Sequence, residues 1–177
     1  KIQRFLEPAL AISQPRADFS QRLSRMLIKE FGPPGIKGVV FTTDAIYVDE
    51  TMFFVGAHHM DTAPVVGKLS RVFLAALKDP EMNLYISRVI VGTRLPLSPD
   101  PESNKHRRTM IQSRAESVLN SIFKAEPQLE KEFARYFSST AVPVEATDAS
   151  VGWVEFRIIP SERLHIELLR KLGKYAY

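Results

Sequence analysis

The fold class predicted by this sequence is α+β: one domain with a mixed or antiparallel sheet of about four to five strands and helices packed on one face. Three observations lead there. Segments rich in β-branched and aromatic residues form a group at 39–57 and recur singly at 84–91 and 151–159, and such residues suit a pleated, half-buried surface. Helical stripes lie between them without the strict strand–helix alternation that a doubly wound parallel sheet requires. No internal repeat of fixed period occurs, which removes solenoids and propellers.

The first segment, Lys1 to Pro15, mixes Ile2, Phe5, Leu6, Leu10 and Ile12 with Pro8 and Pro15. It is expected to be an arm, extended or briefly helical, so residues 1–16 are set apart from a domain at 17–177. Asp18 then caps a helix in which Phe19, Leu23, Met26, Leu27 and Phe31 recur at three- and four-residue steps. Gly32-Pro33-Pro34-Gly35 stops it, since proline cannot extend the helical bonding and glycine accepts the left-handed turn beyond a helix end.

Val39 to Phe41 and Ala45 to Val48 read as strands, with a turn at Asp49-Glu50 leading to Met52–Ala57, a third strand buried on both faces. Asp61 or Thr62 caps a helix with Pro64 in its first turn and a stripe of Val65, Leu69, Val72, Phe73, Ala76 and Leu77. Asp79-Pro80 ends it. A strand follows at Leu84 to Val91. Residues 92–108 hold Pro96, Pro99 and Pro101 with little periodicity and are expected to be a mobile loop.

Ile111, Ala115, Val118, Leu119, Ile122 and Phe123 form the clearest helical stripe, and Pro127 opens a second helix through Leu129, Phe133, Tyr136 and Phe137. Ser138 to Ser150 is expected to be loop. Val151 to Ile159 alternates as a half-exposed strand that shows Glu155 and Arg157 to solvent as a cross-strand charge pair. Ser161 caps a last helix carrying Leu164, Leu168, Leu169 and Leu172, followed by Tyr175-Ala176-Tyr177.

Composition narrows the function classes. With 177 residues, 45% of them hydrophobic, the chain can bury one sizeable core. No apolar run approaches the roughly 18–20 residues that a membrane span needs. Zero cysteines exclude disulfides, thiolate catalysis and sulfur-ligated metal centres, and an intracellular location, cytoplasm or nucleus, is expected. The excess of 24 basic over 20 acidic residues permits a polyanionic partner such as nucleic acid. The chain has no Gly-x-Gly-x-x-Gly, P-loop or Gly-x-Ser-x-Gly pattern, which removes P-loop nucleotide hydrolysis and the serine-hydrolase elbow. No cofactor is expected.

Two places carry candidate chemistry. Arg94, Lys105, Arg107, Arg108 and Arg114, with Arg88 nearby and His106 among them, are the candidate contacts to nucleic acid or another polyanion, because lysine and arginine pair with phosphate and arginine does so bidentately. Asp100 and Glu102 share that stretch. The second place is His58-His59-Met60-Asp61-Thr62, where His59 and Asp61, one residue apart at a strand end, are candidate metal ligands. The run His59-Met60-Asp61-Thr62-Ala63-Pro64 resembles the first metal-binding motif of co-catalytic zinc aminopeptidases and carboxypeptidases. It covers about a dozen residues of strand and motif, and the glycine-rich segment, Glu-Glu pair and late histidine of those enzymes have no counterpart in this sequence. Capping of the following helix by Asp61 or Thr62 is the plainer role.

The expected function is a non-enzymatic interaction or assembly domain that forms homo-oligomers, through the apolar arm and aromatic tail, and touches a polyanion through its basic stretch. The alternative is a metal-dependent hydrolase centred on 59–61.

Overall fold

Apolar residues of a sheet and of the five helices described below make the core, and the register shows how. The computed structural model describes residues 3–33, 38–42, 45–55, 58–59, 64–94, 100–141 and 152–161. The helices are α1 (Gln3–Phe31), α2 (Pro64–Lys78), α3 (Pro80–Tyr85), α4 (Pro101–Ala125) and α5 (Pro127–Phe133). The strands are β1 (Val39–Phe41), β2 (Ala45–Asp49), β3 (Phe54–Val55), β4 (His58–His59), β5 (Ile86–Arg94), β6 (Phe137–Ala141) and β7 (Trp153–Pro160). Five strands form a mixed sheet in the order β1-β2-β7-β5-β6; every neighbouring pair is antiparallel except β5 with β6, which is parallel. The fold is α+β.

Phe156 on β7 lies opposite Ile46 on β2 and Val91 on β5, while Val154 faces Val48 and Ile158 faces Val89. This row is buried against Phe19, Leu23 and Leu27 of α1, Val65, Leu69, Val72 and Phe73 of α2, and Val118 and Ile122 of α4. Phe73 touches both Phe156 (ring centroids 5.5 Å) and Phe137 (5.7 Å, edge-on). Each such side chain removed from water stabilises the fold by roughly 1.5–3 kcal/mol before the cost of ordering it. Opposite the helices, β7 turns Trp153, Arg157 and Ile159 outward, none of them fully buried.

Several elements depart from the sequence expectation. The first helix begins at Gln3, not Asp18, and passes through Pro8 and Pro15; the seven-residue steps Phe5, Ile12, Phe19 hold the helical period across both prolines. Gly32 does end it, with φ +84° and its N–H donating to the Ile28 carbonyl at 2.8 Å. Met52–Ala57 is not one buried strand. Asp49 accepts bonds from the Thr51 N–H (2.9 Å) and hydroxyl (2.8 Å), which turns Glu50–Met52 into a 3-10 helix, and β3 then pairs with β4 in a separate two-stranded ribbon. Asp79-Pro80 both stops α2 and starts α3, because the Asp79 carboxylate caps the Glu81 and Met82 N–H groups.

The sequence reads Ser138–Ser150 as loop, but 137–141 form β6, held in place by its pairing with β5 rather than by any apolar alternation of its own. The mobile loop expected at 92–108 is largely regular: β5 runs to Arg94 and α4 starts at Pro101, residues 95–99 lying outside the description. Its prolines punctuate a helix start, with Asp100 as cap and Pro101 in the first turn. Glu155 is buried, not exposed, and pairs with Arg157 two residues along its own strand (2.8 Å), not across strands. The expected C-terminal helix and aromatic tail lie outside the described residues.

Candidate functional site

The parallel pair β5 and β6 is joined through α4 and α5, and this crossover decides where the basic residues go. Thr93, next to the end of β5, donates from Oγ1 to the Ile111 carbonyl at 2.7 Å in a buried contact. That bond ties the end of β5 to α4 at the point where the buried stripe of Ile111, Ala115, Val118 and Ile122 begins. The helix before it, Pro101 to Met110, spans about 15 Å and has no fully buried side chain among those described. Asp100 starts it by accepting from the Glu102 N–H (3.3 Å) and the Ser103 hydroxyl (2.9 Å). The Ser103 hydroxyl and then the Glu102 N–H hold the Asp100 carboxyl below its usual range.

Lys105, His106 and Arg108 are exposed on this stretch of α4. Arg107 has its backbone on the same turns and Arg94 is the last residue of β5; their side chains, like that of His59, are outside the description. The sequence candidates Arg94, Lys105, Arg107 and Arg108 therefore belong to two elements that meet at one end of the sheet. Arg88 sits exposed on β5, six residues earlier.

Arg114 is placed differently. It is half-buried and donates from Nη1 to Glu50 Oε2 at 2.9 Å, so its charge is committed to a carboxylate. Glu50 in turn donates its backbone N–H to the Gly152 carbonyl (3.1 Å). A Cβ at Gly152 would come within 2.4 Å of the Glu50 carboxylate, which explains a glycine there. Burial raises the Glu50 carboxyl above its usual range, with Arg114 opposing that shift. Sequence reasoning missed Glu50 because nothing local distinguishes it from any other acidic residue in a turn.

The second candidate, His59 with Asp61, is reached only in part. His58 and His59 form β4, which runs beside α4; Asp61 lies outside the described residues. Open clefts lie elsewhere among the described residues. One of about 500 Å³ lies between α1 and α3, where Arg22 bridges Asp79 and Glu81. Another, about 440 Å³, is lined by Ala45, Tyr47, Arg157 and Ile159 on the outer face of the sheet. Neither contains a residue of the two sequence candidates. No protein-family model matches this sequence, and none of the curated proteins compared with it is similar enough to count as a relative. No helix among the described residues is long and apolar enough to cross a membrane.

Proposed function

We propose that this chain is a non-enzymatic interaction domain, intracellular and self-associating, that presents the basic start of α4 to a polyanion, with nucleic acid as the class that fits. The observation that carries the reading is the stretch Pro101–Met110: a capped, regular helix whose described side chains stay out of the core and include Lys105 and Arg108. Neighbouring positions three or four apart on a helix are about 5–6 Å from one another, so Lys105 and Arg108 can reach adjacent phosphates of one strand. Arg94, the last residue of β5, and Arg107, on the same turns of α4, are the further candidates by their place in the chain. Arg114 belongs instead to the Glu50 pair and is not part of the proposed contact.

Retention on heparin and on single- and double-stranded nucleic acid, followed against salt, tests this. Binding should weaken steeply as salt rises, and Lys105→Ala combined with Arg107→Ala should lower the salt dependence by about one released ion for each phosphate the variant no longer neutralises. Retention that ignores salt, or that the double substitution leaves unchanged, refutes the assignment.

A further inference from the structure

The sheet ends in a strand of unusual composition for an edge. β6, Phe137-Ser138-Ser139-Thr140-Ala141, is the last strand beyond β5, and no described strand pairs with its outer side. It contains no charge and no proline, two devices by which exposed edges are normally protected from pairing. Its three central residues are only half-buried. The other edge strand, β1, is three residues long and offers little to pair with.

We infer that β6 pairs with the β6 of a second copy, antiparallel about a two-fold axis near Ser139, so that two sheets join into one of ten strands. This rests on the self-association part of the function proposed above and names its surface.

The charge pattern of α4 supports a second copy as the occupant. Gln112 reaches Ser139 (3.4 Å) and Glu116 (2.9 Å), and Phe123 packs edge-on against Phe137 (5.5 Å), so the face of α4 carrying residues 112, 116 and 123 overhangs β6. Arg108 and Glu116, both exposed, lie one helical step of four residues to either side of Gln112. A two-fold axis through Ser139 exchanges these steps. It sets Arg108 of one copy against the partner's Glu116, twice per dimer, as an isologous contact requires. The same axis sets Ser138 opposite the partner's Thr140, a pair whose hydroxyls can bond across antiparallel strands.

The spacing agrees. Strands lie about 4.8 Å apart, and α4 contacts both β5 and β6; an axis midway between the two strands lies about 2.4 Å inside β6. The two-fold axis lies about as far outside. The two α4 axes then run antiparallel roughly 10 Å apart, at the upper end of the range in which helices pack. In the dimer Arg108 gains the partner's Glu116 as a contact while Lys105 stays exposed for a polyanion, and the five N–H donors of an arginine can serve a carboxylate and a phosphate together.

The test is the mass in solution of the intact chain, by sedimentation or light scattering over a dilution series. The wild type should run at twice the monomer mass of 20.1 kDa. Arg108→Glu, or Glu116→Arg, should weaken association at least about tenfold by opposing like charges at two sites. The double exchange Arg108→Glu with Glu116→Arg should restore it, a rescue that general damage to the fold would not produce. A dimer indifferent to all three variants overturns this surface while self-association stands. A wild-type monomer throughout the series overturns both, and would leave the edge to a strand from a different protein.

Discussion

Replacing Asp79 by alanine removes two separable interactions, and the structure allows each to be weighed. The carboxylate accepts from the Glu81 N–H at 3.0 Å and the Met82 N–H at 3.1 Å, capping α3, and an N-cap of this kind is worth about 1 kcal/mol. It also pairs with Arg22, whose side chain is 35% exposed and which retains Glu81 as a second partner; a contact of that exposure contributes about 0–1 kcal/mol. The expected loss at neutral pH is therefore about 1–2 kcal/mol, or roughly 2–8 °C in melting temperature for a domain of this size. Asp79→Asn keeps an acceptor for the cap and should lose less. The pH dependence follows from the lowered carboxyl pKa, caused first by the Met82 N–H. A lowered folded-state value means that the ionised form is favoured by folding. Its stabilisation is fully present above the ordinary carboxylate range and is lost as pH falls through the folded-state value. Urea denaturation at neutral and at strongly acidic pH should show the gap between wild type and Asp79→Asn closing in acid. A gap that stays constant with pH, or an Asp79→Ala variant as stable as wild type, refutes the assignment.

Other outcomes follow from contacts already described. Gly152→Ala should cost about 1–3 kcal/mol, because the new methyl would meet the Glu50 carboxylate at 2.4 Å and displace it from its half-buried pairing with Arg114. In a Glu50→Ala background the same change should be neutral within about 0.5 kcal/mol, so a double-mutant cycle by denaturant unfolding checks it. Phe156→Ala, which empties a fully buried site between Phe53 and Phe73, should cost about 3–5 kcal/mol and is measurable by calorimetry. Gly38→Ala should destabilise by at least about 1 kcal/mol: its φ of +75° disfavours a side chain, and the methyl would lie 3.0 Å from the Asp49 Cβ. Urea unfolding of that variant checks it.

Much of the framework could be read from the residues. The stripes of α2 and α4 are the buried faces observed, and β1, β2 and β7 stand near their expected positions, because apolar period and β-branched content act locally there. Elements whose conformation is imposed from a distance were harder to see. β6 is a serine-rich strand only because β5 offers it a parallel partner, and Glu155 is buried although its strand alternates as if it faced water. The proline-rich approach to α4 illustrates a different difficulty: the residues that break one helix are those that begin another, and only the Asp100 cap distinguishes the cases. For the site, the grouping of Arg94 with 105–108 is close in sequence and was visible there. The diversion of Arg114 to Glu50, 64 residues away, had no local signal.

The position of β7 has a consequence for how the chain acquires its structure. It is the last described strand in sequence, yet it lies in the middle of the sheet, bonded to β2 on one side and β5 on the other. Until residues 153–160 are available, the β1–β2 hairpin and the β5–α4–β6 unit have no strand to join them, and each leaves an open edge. Its pairing with β2 spans more than a hundred positions, Ala45 with Arg157 for example, and such distant closures slow folding. A nascent chain that has emerged only as far as β6 would thus hold two half-sheets with exposed seams, a state prone to wrong pairing, and insertion of this one strand would complete the sheet.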